Sequence, residues 1–266
     1  MSAFEGKTAL VTGASKGIGL AIARQLYREG ANVMLVASDA GRLAAARDSL
    51  AGQGPDQIHP GQLAIAAADL RDLAGAESVL AGFRAEFSGC DILIHSAGAT
   101  RGGVFPDQPD SEYLDGFALK FHGGVRMARL FWPLLKASSG TLINIIGGAA
   151  RSPDAGFMVG GAVNAALANF SKALAAQGLK DDVNVNWIHP GQTETERLAM
   201  LFETRAAQEG RTAEQVRAER IAEEGIRRLG QPEDVAQLAV FLCRPEARHI
   251  HGTGLTVDGG ATKGYY

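Results

Sequence analysis

Residues 8–26 read Thr8-Ala9-Leu10-Val11-Thr12-Gly13-Ala14-Ser15-Lys16-Gly17-Ile18-Gly19-Leu20-Ala21-Ile22-Ala23-Arg24-Gln25-Leu26. An apolar run, Ala9-Leu10-Val11, is followed by glycines at 13, 17 and 19. Apolar residues then recur at helical spacing: Ile18, Ala21, Ile22 and Leu26. The pattern is strand, glycine turn, helix. Glycines let the backbone approach a pyrophosphate, and the first turn of the helix points unpaired N–H groups at it. The stretch is therefore expected to bind a dinucleotide through Gly13, Ser15, Lys16, Gly17, Ile18 and Gly19.

Working outward, strand and helix signals alternate along the chain. Strands are expected at Thr8–Val11, Val33–Ala37, Leu63–Ala68, Ile92–Ile94, Thr141–Ile146, Val183–Ile188 and Gly254–Val257. Helical patterns lie near 18–29, 41–51, 73–87, 111–136, 157–178 and 232–243. The strands are continuously apolar rather than alternating, which points to a parallel sheet covered on both faces. The expectation is one doubly wound α/β domain of about seven strands spanning residues 1–266, with right-handed crossovers. Only Thr193–Arg228 breaks the pattern. Its charged, helical composition fits a solvated helix pair or a lid over a site at the carboxyl ends of the strands.

The bulk numbers narrow the function. With 46% apolar and 21% charged residues, 266 residues can bury a full core. A net charge of −3 argues against nucleic acid and anionic membrane as partners. Cys90 and Cys243 sit in apolar segments with no metal spacing, as expected of core thiols in a reducing compartment. No apolar run reaches the length of a membrane span and residues 1–7 lack a signal-peptide shape, so a cytoplasmic location is expected.

The order of elements resembles the short-chain dehydrogenase/reductase family over essentially the whole chain. The family's TGxxxGxG turn matches at Gly13, Gly17 and Gly19. Asp69, in Ala-Ala-Asp-Leu with Leu70, matches an acid that hydrogen-bonds adenine in the family. His95-Ser96-Ala97-Gly98 stands for the family's Asn-Asn-Ala-Gly, and Pro190-Gly191 with Thr193 and Thr195 for the Pro-Gly motif beside the nicotinamide. The ending, from Gly230-Gln231-Pro232-Glu233-Asp234 to Val257-Asp258-Gly259-Gly260, is also similar. The resemblance implies a nicotinamide cofactor, a small-molecule substrate and a homodimer or homotetramer built on the helices near 111–136 and 157–178.

The same resemblance implies a Ser, Tyr, Lys and Asn catalytic set, and here the chain departs from it. Counting back from Phe170-Ser171-Lys172-Ala173-Leu174-Ala175 puts Asn164 at the lysine position and Gly160 at the tyrosine position. Gly147, after Asn144-Ile145-Ile146, takes the serine position, and Lys120 the asparagine position. No tyrosine occurs between Tyr113 and Tyr265. The family's usual carbonyl reduction is therefore not expected, and the two glycines are expected to leave a void beside the nicotinamide. Lysine and asparagine have exchanged places, so Lys120 could polarise a substrate oxygen or donate a proton. It could equally reach solvent or pair with Asp115 or Asp154. His95, and after it His122 and His189, are further proton-transfer candidates. Ser171 and Lys172 are expected to be a surface pair.

Cofactor choice turns on the end of the second strand. An acid there would hold the ribose 2′-OH and select NAD. Val36-Ala37-Ser38-Asp39 has Ala37 at that place. Ser38 and Lys16 can serve a 2′-phosphate, so NADP is favoured over NAD, although Asp39 is an unhelpful neighbour. The functional expectation is an NADP(H)-linked oxidoreductase with a non-standard active site. The alternatives are a lyase, isomerase or dehydratase on the same scaffold, or an inactive cofactor-binding or partner subunit.

Overall fold

A computed structural model describes residues 3–52 and 61–263. Seven parallel strands form one sheet in the order β3-β2-β1-β4-β5-β6-β7. They are β1 (Thr8–Thr12), β2 (Asn32–Ala37), β3 (Leu63–Ala67), β4 (Ile92–His95), β5 (Thr141–Ile145), β6 (Asn184–Pro190) and β7 (Gly254–Val257). Strand order reverses between β1 and β4, which opens a crevice at their carboxyl ends, the usual ligand position in such sheets.

Helices cover both faces. One face carries α1 (Gly17–Arg28), α2 (Ala40–Ala51) and a late helix, Pro232–Leu242. Ile22, Leu26, Leu43 and Val240 pack there on Ala9, Val11, Leu35 and Ile94. The other face carries α3 (Leu73–Glu86) and the helices that flank β5. Phe83, Phe131 and Leu135 pack there on Leu10, Met34 and Leu93. Successive residues of β1 thus serve opposite cores, which is why its sequence is continuously apolar. Each fully buried Leu or Phe contributes on the order of 1.5–3 kcal/mol.

The helical pattern near 111–136 is realised in three pieces. α4 (Asp110–Gly116) runs into a π-helical turn (Phe117–His122) and continues as α5 (Gly123–Ala137). Such turns often mark functional positions, and Lys120 lies within this one. The pattern near 157–178 becomes α6 (Met158–Asp181).

The charged segment folds as two helices, α7 (Glu196–Glu209) and α8 (Ala213–Glu224), followed by α9 (Pro232–Leu242). Thr195 caps α7 and accepts from the Leu198 N–H. Thr212 and Gln215 form a reciprocal capping box on α8. Arg205 and Arg211 pair with Glu209 and Glu219 across the two helices. Among the described residues no helix is long and apolar enough to cross a membrane.

Candidate active site

A cleft of about 1080 Å³ lies over the carboxyl ends of the strands. The glycine turn forms one wall. Gly13 has φ +66°, and a Cβ there would lie 2.9 Å from the Ala97 nitrogen. At Gly19 a Cβ would lie 2.3 Å from the Gly13 carbonyl oxygen. No other residue fits either place. The first turn of α1 holds no acidic residue and no side-chain cap, so its N–H groups stay available to an anion.

Every cofactor position expected from the sequence lines this cleft: Gly13, Ser15, Lys16, Gly17, Ile18 and Gly19, then Ser38, Asp69 and Leu70, Ala97 and Gly98, and Pro190, Gly191, Thr193 and Thr195. Ala37 lies beside Ser38. Asp39 does not act as a free negative charge there. Its carboxylate caps α2, accepting from the Arg42 N–H at 2.9 Å, with the Arg42 guanidinium 3.7 Å away. Lys16 and Arg42 both reach Glu196 of α7, at 3.1 and 3.4 Å. Asp69 is held by the Arg71 N–H and guanidinium.

Lys120, Gly147 and Asn164 also line the cleft. The Lys120 stem lies along Gly98, with its Cδ 3.0 Å from where a Cβ on Gly98 would stand. Asp115 is taken by Arg71. Asp154 accepts from the Gly156 N–H at 2.7 Å. Neither acid holds Lys120, and among the described residues its ammonium has no carboxylate partner. Burial, with a smaller contribution from the Arg197 charge, lowers its pKa to about 8.

The expected void is absent. The Asn164 Oδ1 accepts from the Gly147 N–H at 2.8 Å, and its Nδ2 donates to the Gly160 carbonyl at 2.7 Å. Asn164 thus braces the end of β5 against α6. The space a Cβ at Gly160 would need is filled by the Phe157 ring, 1.9 Å from that position. The aromatic body takes the volume that the glycine leaves, since packed interiors do not hold empty space cheaply.

None of the three histidines lines the cleft. His95 is 1% exposed and bonded at both nitrogens. The Thr12 hydroxyl oxygen already accepts from the Ser96 and Ala97 N–H groups at 3.1 Å each, so its proton goes to His95 Nδ1 at 3.0 Å. His95 Nε2–H then donates to the Lys120 carbonyl at 3.0 Å. The ring is a neutral brace, its pKa lowered to about 4 chiefly by burial. His189 accepts from the Trp187 indole N–H at Nε2 and donates from Nδ1 to the Ile146 carbonyl, both at 2.9 Å. His122 is exposed against the Phe121 ring.

Of the expected surface pair, Lys172 is exposed and Ser171 is not. Ser171 is fully buried, donating to the Leu167 carbonyl at 2.7 Å and accepting from the Asn144 amide at 2.8 Å. Lys172 donates to the Gly252 carbonyl at 2.7 Å. A helix of 24 residues packed against β6 buries small polar residues wherever a strand side chain can meet them.

Residues 13–262 match the family model described as Enoyl-(Acyl carrier protein) reductase. The chain is 33% identical over 258 residues to the 3-oxoacyl-(acyl-carrier-protein) reductase FabG of Salmonella typhimurium, covering 97% of this chain and 98% of that protein. The chain belongs to the short-chain dehydrogenase/reductase family. This short-chain dehydrogenase/reductase is also 31% identical to the 2,3-dihydro-2,3-dihydroxybenzoate dehydrogenase of Bacillus subtilis, over 98% of this chain and 97% of that one. Its fold superposes on L-sorbose reductase from Gluconobacter frateurii, solved with NADPH and L-sorbose, with a TM-score of 0.92 and 31% identity. That match covers 99% of this chain and all of the other, 100%.

Three site residues of this short-chain dehydrogenase/reductase escape a sequence reading: Arg42, Phe157 and Arg197. Arg42 carries a faint signal, its spacing of three from Asp39 at a helix start. Phe157 is visible only as an aromatic three residues before Gly160. Arg197 is one of many charges in its segment. The Arg197 guanidinium donates to the Thr100 carbonyl at the cleft wall.

Proposed function

We propose that this protein is an NADP(H)-dependent oxidoreductase acting on a small molecule, with Lys120 as its proton donor in place of the family's tyrosine. Gly147, Gly160 and Asn164 stand at the positions of the family's serine, tyrosine and lysine. The observation that carries the reading is the Lys120 ammonium in the cleft, without a carboxylate partner among the described residues and with a pKa of about 8. The best proton donors have pKa values near the working pH.

The donor set fits the cofactor. The α1 N-terminus and glycine turn suit the pyrophosphate. Ser38, Lys16 and Arg42 suit a 2′-phosphate, with Ala37 raising no charge against it. Asp69 and Leu70 lie where the adenine belongs. Ala97, Gly98, Pro190, Gly191, Thr193 and Thr195 border the nicotinamide half. L-sorbose reductase and the YwfH reductase of bacilysin biosynthesis, 25% identical, are both NADPH enzymes. Bound NADPH would supply the hydride.

The chain's own residues do the rest. Lys120 directs its ammonium at the substrate oxygen and gives up a proton as charge develops there. His95 acts through the Lys120 backbone by fixing the π-helical turn. Phe157 excludes water from the place a tyrosine would occupy. The α7–α8 pair acts as the lid, since Glu196, Arg197, Leu198 and Leu201 of α7 face the cleft. The test is calorimetric titration with NADPH and NADH, followed by turnover of a carbonyl panel by wild type and Lys120→Met. Failure to bind NADPH overturns the oxidoreductase reading. Full turnover by Lys120→Met overturns the role of Lys120.

A further inference from the structure

The cleft holds six carboxylates, and each is already engaged. Asp69 meets Arg71, and Glu196 meets Lys16 and Arg42. Asp154 caps a turn, and Asp258 accepts from the Gly260 and Thr262 N–H groups. Glu223 and Glu224 share Arg220. Two cations remain. Lys120 has no ion pair among the described residues. Arg197 has only a carbonyl, that of Thr100.

The two are held close together. Lys120 packs along Gly98 and Arg197 anchors to Thr100, two residues further along the same loop. Two residues of chain span at most about 7 Å. The Arg197 charge is near enough to help lower the Lys120 pKa, and burial lowers that of Arg197 itself. Two like charges placed together in a partly desolvated cleft oppose each other unless an anion lies between them.

We propose that Lys120 and Arg197 form a recognition site for an anionic substrate, and that the substrate of this enzyme is an oxo acid or hydroxy acid carrying a carboxylate. The inference rests on the oxidoreductase reading above and names the substrate class of that same site. Arginine presents a planar fork to a carboxylate, and lysine adds a point charge. Arg197 already spends part of its fork on Thr100, so a carboxylate, with two oxygens to satisfy, suits what is left. Arg197 rides on α7, so an anion bound between the two cations would also tie α7 to the cleft wall. Lys120 would then both hold the carboxylate and stand beside the reacting oxygen, which places the carboxylate next to the carbonyl carbon or one carbon away.

The test uses the NADP⁺-loaded full chain, in which no reduction can occur. Pyruvate, acetoacetate and 3-oxooctanoate are titrated by calorimetry, each beside its methyl ester. At least one acid is expected to bind roughly ten- to hundredfold more tightly than its ester. That preference should fall to near unity in Lys120→Met and in Arg197→Met, and persist in Lys120→Arg and Arg197→Lys. NADP⁺ affinity, measured first in every variant, reports folding. Esters binding as well as acids, or a preference that survives both methionine variants, would overturn the inference. So would an Arg197→Met variant that loses NADP⁺ affinity but keeps the acid preference, since Arg197 would then serve the cofactor. A wild type that binds no NADP⁺ would sink the oxidoreductase reading instead.

Discussion

His95 Nε2–H donates to the main-chain carbonyl of Lys120 at 3.0 Å, tying the end of β4 to the π-helical turn that carries the proposed proton donor. The approach needs Gly124, where a Cβ would come within 2.9 Å of the imidazole. The ring therefore acts on Lys120 through position, not through its own proton.

His95 should make the fold sensitive to acid. Its folded pKa of about 4 lies below the ordinary value of 6.5. The unfolded chain binds the extra proton first, so this stability is fully present above pH 6.5 and is lost as pH falls through about 4. The full effect is on the order of 3 kcal/mol. Urea unfolding at several pH values between 4 and 7 should show the loss, and His95→Asn should flatten it. His95→Ala should cost about 2–4 kcal/mol at neutral pH, because it strands the Thr12 hydroxyl and opens a cavity.

Lys120 should titrate well below an ordinary lysine. After reductive ¹³C-methylation, the resonance that disappears in Lys120→Arg should have its midpoint near the pKa of about 8. Proton donation by the ammonium then requires reduction to slow as pH rises past that value. The groups whose charge or protonation bears on this are Arg197 of α7, His95 of β4 and His189 of β6. A midpoint near 10.5 would remove the basis for this role.

NADPH should bind more tightly than NADH. Ala37→Asp should reverse the order by repelling the 2′-phosphate, with a loss in NADPH affinity of roughly ten- to hundredfold. Glu196→Gln should raise NADPH affinity about two- to fivefold, because Lys16 and Arg42 are released from exposed ion pairs that each hold little energy. Equal affinities in the wild type, unchanged by Ala37→Asp, would contradict the 2′-phosphate assignment.

Rebuilding the family's usual set should need five changes rather than four. Gly147→Ser, Gly160→Tyr, Asn164→Lys and Lys120→Asn together would drive a tyrosine into the Phe157 ring. Adding Phe157→Ala should open that space and bring measurable reduction of simple ketones with NADPH, which the wild type should lack. Activity in the fourfold variant equal to that of the fivefold one would show that Phe157 yields easily.

Assembly should be visible in solution. Phe117, Phe121 and Phe170 form a ring-to-ring strip joining the π-helical turn to α6, with centroids 6.1 and 6.2 Å apart, and all three are only partly buried. Light scattering should give the mass of a dimer or tetramer, and a monomer would leave that strip unexplained.

Much of this protein was determined by local sequence alone. The glycines at 13, 17 and 19, between an apolar run and a helical period, dictate strand, turn and helix, because backbone freedom and side-chain periodicity belong to the residues themselves. Continuous apolar strands alternating with helices dictate a parallel sheet of seven strands, found with boundaries shifted by one or two residues at the ends. The residues expected around the cofactor lie together because they sit at the carboxyl ends of those strands. The chemistry of the centre was decided elsewhere. Whether Lys120 had a partner depended on Arg71 claiming Asp115 and on Asp154 capping a turn. Which nitrogen of His95 carries the proton depended on Thr12, 83 residues away in the chain. Whether Gly160 left a void depended on where Phe157 turned its ring, and the charge around Ser38 depended on Glu196 crossing from the lid. Ionisation, hydrogen-bond polarity and packing are set by whatever lies within a few ångströms in space, and only the folded chain specifies those neighbours.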